Sequence, residues 1–205
     1  MSNPGGEHWE ALQHVLKYLD RVPHAYLEYS RPSSRLCNQL IAYVDSDHAS
    51  DVDDRKSTSG FVIFLNGGPI AWASTKQKSV SSSTAESEFK AMHKVSMEVM
   101  YLRQLMQELG YGDPHHPTDI LEDNIACEQY VRNPVLHGRM KHIDIAYHVV
   151  KDWQALGHLR TLRVASADNY ADGLTKCVDP ATHRNFLRGT LKVPDLAPLS
   201  EKGKE

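Results

Sequence analysis

Hydrophobic positions near the amino terminus recur at helical spacing. They predict an amphipathic helix that ends before Pro23, with an apolar stripe made of Trp9, Leu12, Val15, Leu16 and Leu19. Residues 25–29 follow and predict a short strand, and residues 31–35 are typical of a linker.

Alternating and compact apolar runs predict a β-rich region next. Residues 39–47 alternate loosely between two faces, and residues 61–65 form an uninterrupted apolar run. The triplet Asn66-Gly67-Gly68 indicates a tight hairpin, because Asn and Gly tolerate positive φ angles. Residues 70–73 supply the returning strand, so the region predicts three antiparallel strands.

The remaining chain alternates between helical and strand patterns. A long helix is expected over 84–109, with Ser83 or Thr84 as its cap and Gly110 at its end. The later elements are predicted at 120–121 (strand), 124–131 (helix), 144–156 (helix), 159–164 (strand) and 168–175 (helix). This order predicts an α/β fold with a mixed five-stranded sheet, three antiparallel strands then two parallel, and flanking helices.

Composition narrows the functional classes. The 205 residues carry 23 basic and 26 acidic side chains, a net charge of −3, which disfavours a sequence-independent nucleic-acid binder unless bound cations reverse the local sign. Three scattered cysteines exclude a disulfide framework. The chain shows neither a membrane-length apolar run nor a secretory signal, so we expect an intracellular protein, cytoplasmic or nuclear, that is not secreted and does not bind membranes.

Four acids stand at element ends or on inward-facing positions: Asp45, Glu88, Asp123 and Asp172. Glu88 is preferred to Glu86 because it lies between Ala85 and Met92 on the apolar stripe of the long helix. Glu86 lies roughly 200° around the helix from it. An acid on an apolar face needs a partner.

Clustered carboxylates would need neutralising ions. At about 4 Å, two of them repel by roughly 4 kcal/mol at an effective dielectric near 20. Oxygen ligands suit Mg²⁺ or Mn²⁺, and two such ions about 4 Å apart support phosphodiester hydrolysis. Alternatively the four acids are unrelated, since 26 acids allow many combinations.

A set of motifs, in order along the chain, resembles the RNase H domain of copia-type retrotransposon Pol polyproteins. It includes Tyr-Val-Asp-Ser-Asp from residue 43 and Ala-Asp-Gly-Leu-Thr-Lys from residue 171. Residues 8–19 resemble the segment that joins the polymerase to RNase H in those polyproteins. The matching blocks are 43–49, 53–61, 70–78, 81–91, 122–124, 133–137, 141–145 and 169–176.

The resemblance implies an RNase H-like fold and metal-dependent cleavage of the RNA strand of RNA–DNA hybrids. The family's catalytic, metal-binding acids fall on Asp45, Glu88, Asp123 and Asp172, with two Mg²⁺ or Mn²⁺ ions expected. The implied organisation is a remnant of the reverse transcriptase connection at 1–36, an RNase H-like domain at 37–177, and a partly disordered extension at 178–205. The polymerase part of a reverse transcriptase is a possible partner.

Departures from the family pattern leave an alternative open. Residues 165–171 contain no histidine to shuttle protons, and the paired-Asp motif of the polymerase is absent. The chain resembles a carboxyl-terminal polyprotein fragment that begins at its own Met1. The alternative function is therefore a catalytically inactive retrotransposon remnant that acts at most as a nucleic-acid-binding module. An integrase-like nuclease is disfavoured by the order of the acids.

Basic and polar residues in loops flanking the acids are candidates for phosphate contacts, because side chains of these types position a nucleic-acid backbone. They are Arg55, Lys56, Ser57, Lys76, Lys78, Asn124, Arg139 and Lys141.

Overall fold

The computed structural model describes residues 4–21, 25–29, 38–124 and 141–191, with only the backbone of 141–144. Three antiparallel strands form one side of the sheet: β1 (Leu40–Asp47), β2 (Thr58–Leu65) and β3 (Gly68–Lys76). The predicted hairpin between β2 and β3 is confirmed, with φ angles of 54° at Asn66 and 82° at Gly67. Two consecutive positive φ angles match the twist of a two-residue hairpin.

Two parallel strands complete the sheet on the other side of β1. They are β4 (Thr118–Glu122) and β5 (Leu159–Arg163), and the spatial order is β3-β2-β1-β4-β5. The predicted mixed five-stranded α/β sheet of the RNase H-like type is therefore confirmed. Because β1 lies at the centre and runs parallel to β4 and β5, the carboxyl ends of these three strands share one edge.

Helix α2 (Thr84–Glu108) supplies much of the hydrophobic core. Ser83 caps its start by accepting a hydrogen bond from Glu86 N–H, and Gly110, with a φ of 77°, follows its end. Helix α3 (Lys141–Ala155), predicted at 144–156, presents Tyr147 and Val150 inward. The core between these helices and the sheet includes Val44, Met92, Val95, Ile120 and Val150.

Helix α1 (Gly6–Arg21) forms where it was predicted, but its apolar stripe is not covered by the described residues. Trp9 is 59% exposed, and α1 has no buried residue. Near its end, the ring of Tyr18 contacts the ring of His183 edge to face. Within the described ranges, none of the helices combines the length and apolar character needed to span a membrane.

Two sequence predictions of local structure need correction. Residues 25–29 contain an isolated bridge at Tyr26 and no strand. The helix expected at 168–175 is replaced by two short 3-10 turns, Ser166–Asp168 and Asp172–Leu174. The Asn169 side chain ties this segment to β1 through the Val44 carbonyl and bonds to the Ala171 N–H, a local contact that competes with a regular helix. A helix α4 (Pro180–Thr190), capped by Asp179, occupies part of the expected extension. Most of the helix predicted at 124–131 lies outside the described residues.

Candidate active site

Asp45 lies near the carboxyl end of β1, at a point where both faces of the strand are covered. The face that carries Val44 packs against α2, and the Asp172–Leu174 turn covers the other face. Asp45 is therefore 2% exposed although it is an acid. The hydroxyl of Thr175 donates a hydrogen bond to Asp45 Oδ2. A buried carboxylate requires such partners, since it has lost the hydration that stabilised its charge.

Asn169 fixes the turn that carries Asp172. Its Nδ2 donates to the carbonyl of Val44 at 2.9 Å, and its Oδ1 accepts from the N–H of Ala171 at 3.1 Å. These bonds tie the turn to β1 and hold Asp172 beside Asp45. Burial and then the charge of Asp45 raise the pKa of Asp172 to about 6.

The close approach of this turn to the sheet depends on Gly60, which pairs with Asp45 in the β1–β2 register. A Cβ at position 60 would lie 2.6 Å from Thr175 Cγ2 and 2.9 Å from Leu174 Cβ. We expect Gly60→Ala to lower the free energy of unfolding by about 1–3 kcal/mol, as overpacking does. Guanidinium unfolding measures this, with Gly6→Ala as control because a Cβ there meets nothing within 4 Å. Equal stabilities for the two variants would contradict the close packing.

Glu88 lies in the second turn of α2 and is 4% exposed. Gln77 connects this end of the helix to the sheet, since its Nε2 donates to the carbonyl of Ser87 and to Ser59 Oγ. Burial, followed by the charge of Asp45, raises the pKa of Glu88 to about 8. Glu88 therefore holds a proton at neutral pH in the absence of a nearby cation.

Glu86 is also buried, which helical spacing did not predict. Its carboxylate forms an ion pair with Lys90 at 2.8 Å and accepts hydrogen bonds from the N–H and hydroxyl of Ser82. Burial alone would raise the pKa of Glu86, but these partners lower it below its usual value. Glu86 is thus neutralised locally, whereas no basic side chain of the described residues forms such a pair with Glu88.

Asp123 follows β4 and is half-buried. It accepts hydrogen bonds from Ser166 Oγ at 2.5 Å and from Asn169 Nδ2 at 3.4 Å. Its charge contributes to the raised pKa values of Glu88 and Asp172. The structure therefore brings the four predicted acids, which are distant in sequence, into one electrostatic neighbourhood at the carboxyl ends of β1 and β4.

Glu122 is a fifth acid in this neighbourhood that the sequence interpretation missed. It is 3% exposed, and no N–H or hydroxyl group of the described residues donates to either of its oxygens. Its carboxyl lies within hydrogen-bond reach of that of Glu88. Burial and then the charge of Glu88 raise the pKa of Glu122 well above its usual value. The alternation of β4 carries the signal, because Glu122 shares its face with the buried Ile120.

Lys176 supplies a positive charge at the same place. Its Nζ lies 3.2 Å from Asp172 Oδ1 and 3.6 Å from Asp45 Oδ2. Burial disfavours its charge, but Asp45 and Asp172 outweigh this and raise the pKa of Lys176. Sequence reasoning missed it because the contact requires the 3-10 turn.

The chemistry of the donor set fits a hard divalent cation. The site offers carboxylate oxygens, and Glu88 Oε2 receives no hydrogen bond from the described residues. However, the carboxylate oxygens do not point to a common centre. Within the described ranges, no three acidic, histidine or cysteine groups are arranged to hold a metal ion. Binding a cation here therefore requires some side-chain movement.

The residues predicted to contact phosphates fall into different environments. Lys56 pairs with Asp54 at 2.9 Å, and Lys76 pairs with Asp51 at 2.6 Å and Asp54 at 3.0 Å, all on the surface. Ser57 requires a correction, because it is fully buried and its hydroxyl accepts a hydrogen bond from Ala49 N–H. A side chain in that position cannot reach a phosphate.

The other candidates lie in connections between elements, at the start of α3 or outside the described part of the chain. Arg55 is exposed in the β1–β2 connection, and Lys78 is exposed between β3 and α2. Asn124 follows Asp123, and Lys141 begins α3, where only its backbone is described. Arg139 lies outside the described residues.

Comparison with known proteins finds relatives of this chain by sequence. No protein-family profile matches it. It is 38% identical over 196 residues to a retrovirus-related Pol polyprotein from transposon RE2 of Arabidopsis thaliana, and 36% identical over 196 residues to that from transposon RE1. Each alignment covers 95% of this chain and 13% of the relative, so the chain spans about an eighth of the length of these proteins.

Among solved structures, the N-terminal RNase H domain of Rv2228c from Mycobacterium tuberculosis is similar over 74% of this chain and 96% of that one, with 12% identity and a TM-score of 0.48. The evidence for kinship is the sequence identity to the polyproteins, which extends over almost the whole chain. The relatives of this chain by sequence are thus retrovirus-related Pol polyproteins from copia-type transposons.

Proposed function

We propose that the chain is a metal-dependent ribonuclease H that hydrolyses the RNA strand of RNA–DNA hybrids. One observation carries the proposal: the buried Asp45, Glu88 and Asp172 and the half-buried Asp123 share one electrostatically coupled neighbourhood at the carboxyl edge of the central strands. Carboxylates held this close together repel one another, which does not stabilise the folded protein. A role in binding cations therefore explains the arrangement better than packing does.

The four acids are the proposed ligands of two Mg²⁺ or Mn²⁺ ions. When bound, such ions activate water and stabilise the leaving oxygen in phosphodiester hydrolysis. Glu88 must give up its proton to bind a cation, since burial and Asp45 hold it in the acid form at neutral pH. Asn169 holds Asp123 and the Val44 carbonyl together, and therefore orients the turn and the strand that carry the ligands.

The proposed substrate is an RNA–DNA hybrid, whose shape and 2′-hydroxyls a protein can recognise without reading base sequence. The phosphate contacts proposed for it exclude Ser57 because of its burial. The polymerase part of a reverse transcriptase remains a proposed partner, supported by the names of the relatives, which are Pol polyproteins. The proposed phosphate-contacting residues are Arg55, Lys56, Lys76, Lys78, Asn124, Arg139 and Lys141.

Lys78 offers a test of the phosphate contacts. It is exposed beside the start of α2, the helix that carries Glu88. We expect Lys78→Gln to weaken hybrid binding about three- to tenfold and to lower the salt dependence of log Kd by about one, as the loss of one phosphate contact does. Fluorescence anisotropy over a salt series measures both. Lys151→Gln, on the exposed side of α3, is the charge-matched control. An unchanged salt slope for Lys78→Gln would remove this residue from the proposed interface.

The function is tested by incubating the purified full chain with end-labelled hybrid and either Mg²⁺ or Mn²⁺. We expect cuts in the RNA strand of the hybrid, none in the DNA strand, and none with EDTA. Single-stranded RNA and double-stranded DNA serve as substrate controls. Hybrid binding without cleavage would instead support the inactive, nucleic-acid-binding remnant.

A further inference from the structure

Lys176 places an ammonium group between two of the proposed ligands, Asp45 and Asp172. Its Nζ contacts Asp172 Oδ1 at 3.2 Å and Asp45 Oδ2 at 3.6 Å. The side chains of Asp45 and Asp172 are 3% and 9% exposed, whereas that of Lys176 is 39% exposed. The lysine thus reaches in from the surface and covers a buried pair of acids.

The turn that precedes Lys176 sets this position. The Lys176 N–H donates to the Asp172 carbonyl at 3.3 Å. The Thr175 hydroxyl donates to Asp45 Oδ2, and its oxygen lies 3.1 Å from the same carbonyl. The two neighbouring side chains therefore contact the same carboxylate by different means. Thr175 is short and buried, but the lysine has four flexible carbons and a single point charge. Lys176 can leave the acids by side-chain rotation alone.

The contact of Lys176 with the acids also explains why the described residues form no preformed metal site. The described acids are not convergent enough to hold a metal ion, and an ammonium already contacts two of them. A divalent cation with Asp45 and Asp172 as ligands would lie close to this ammonium. At such distances two like charges repel strongly, so the two cations exclude each other.

We propose that Lys176 is a resident counter-ion that stabilises Asp45 and Asp172 in the metal-free protein and that a divalent cation must displace. The inference rests on the proposed function, because it takes these acids as the metal ligands. Lys176 is then a positioning residue whose ammonium holds the carboxylates of Asp45 and Asp172 next to each other before a metal ion binds. The consequence is competition: removing the ammonium strengthens metal binding and weakens the metal-free fold.

Calorimetric titration of the full chain with Mn²⁺, in the absence of nucleic acid, measures the competition. We expect Lys176→Met to bind Mn²⁺ about tenfold more tightly than the wild type and to melt at a lower temperature in EDTA. Arg160→Met is the charge-matched control, because Arg160 pairs with Asp119 toward the opposite ends of β4 and β5. We expect Mn²⁺ binding by that variant to match the wild type.

A second measurement needs no variant. Amine-selective acylation followed by mass spectrometry reports how accessible each lysine is in the wild-type chain. We expect Mn²⁺ to accelerate modification of Lys176 and to leave that of Lys151 unchanged. If Lys176 becomes slower or unchanged with Mn²⁺ at saturation, it is not displaced and the inference is overturned.

The outcomes separate this inference from the proposed function. Tighter Mn²⁺ binding by Lys176→Met supports the inference even if no variant cleaves a hybrid, in which case only the proposed function fails. Equal or weaker Mn²⁺ binding by Lys176→Met overturns the inference even if the wild type cleaves hybrids. Absence of Mn²⁺ binding in both proteins overturns it as well.

Discussion

Replacing Asp45 by asparagine is expected to reduce hydrolysis of an RNA–DNA hybrid about a thousandfold, equivalent to about 4 kcal/mol of activation free energy. Asp45 lies at the centre of the site: its charge raises the pKa values of Glu88, Glu122 and Asp172. Asparagine keeps the shape and can still accept from Thr175, but it lacks the negative charge that attracts a divalent cation. The initial rate of cleavage at saturating Mg²⁺ measures the effect.

A matched acid on the surface provides the control. Asp53 lies in the exposed β1–β2 connection, and we expect Asp53→Asn to cleave within about twofold of the wild type, as surface substitutions away from a site do. Circular dichroism establishes that Asp45→Asn is folded before its rate is interpreted. A folded Asp45→Asn protein with the wild-type rate would exclude this carboxylate from catalysis.

The sheet and the long helix were predictable because their residues follow simple periods. Alternation and the Asn66-Gly67 pair define β1 to β3, and the Ser83 cap and Gly110 define α2. Helical spacing also favoured Glu88 over Glu86, on the expectation that only Glu88 would face the core. Both are buried, and the real difference is that Lys90 neutralises Glu86.

Residues 168–175 show where periodicity fails. The segment contains apolar residues at helical spacing, but the Asn169 side chain bonds to the backbone of β1 and of its own turn. Such a contact joins residues 125 positions apart, and no local pattern encodes it. The same turn creates the contacts of Lys176 and Thr175 with Asp45, so these partners could be found only in the folded chain.

Ser57 and Glu122 illustrate a second limit. A hydroxyl in a polar segment was expected to face solvent, yet the chain turns Ser57 inward to accept from Ala49 N–H. The sequence interpretation chose Asp123 as the site acid and did not include the neighbouring Glu122, although the alternation of β4 puts Glu122 on the buried face. The sequence predicts which residue types lie near a site, but burial together with the local partners of each group decides which of them carry charge.

The protonated acids have a consequence for stability. In the unfolded chain Glu88 has its ordinary pKa of 4.5, whereas in the folded metal-free protein it holds its proton up to about pH 8. Between these values unfolding releases a proton, so raising the pH favours the unfolded state. Asp172 adds a similar effect between 3.8 and about 6, and Glu122 acts in the same direction.

We therefore expect the free energy of unfolding of the metal-free protein to decrease as the pH rises from about 5 to 8. The slope expected from Glu88 alone is about 1.4 kcal/mol per pH unit, or about 3–4 kcal/mol over this window. Guanidinium unfolding in EDTA at a series of pH values measures it. Saturating Mg²⁺ should remove the decrease, because a bound cation replaces the proton in stabilising the carboxylates.

Two variants identify the group responsible. Glu88→Gln cannot ionise, so its stability should vary less with pH and exceed that of the wild type at pH 8. Glu108→Gln, at the exposed end of the same helix, should retain the wild-type slope. If wild-type stability in EDTA instead rises or stays constant between pH 5 and 8, Glu88 is ionised in the folded protein. The site would then be neutralised by Lys176 and its other partners without a stored proton.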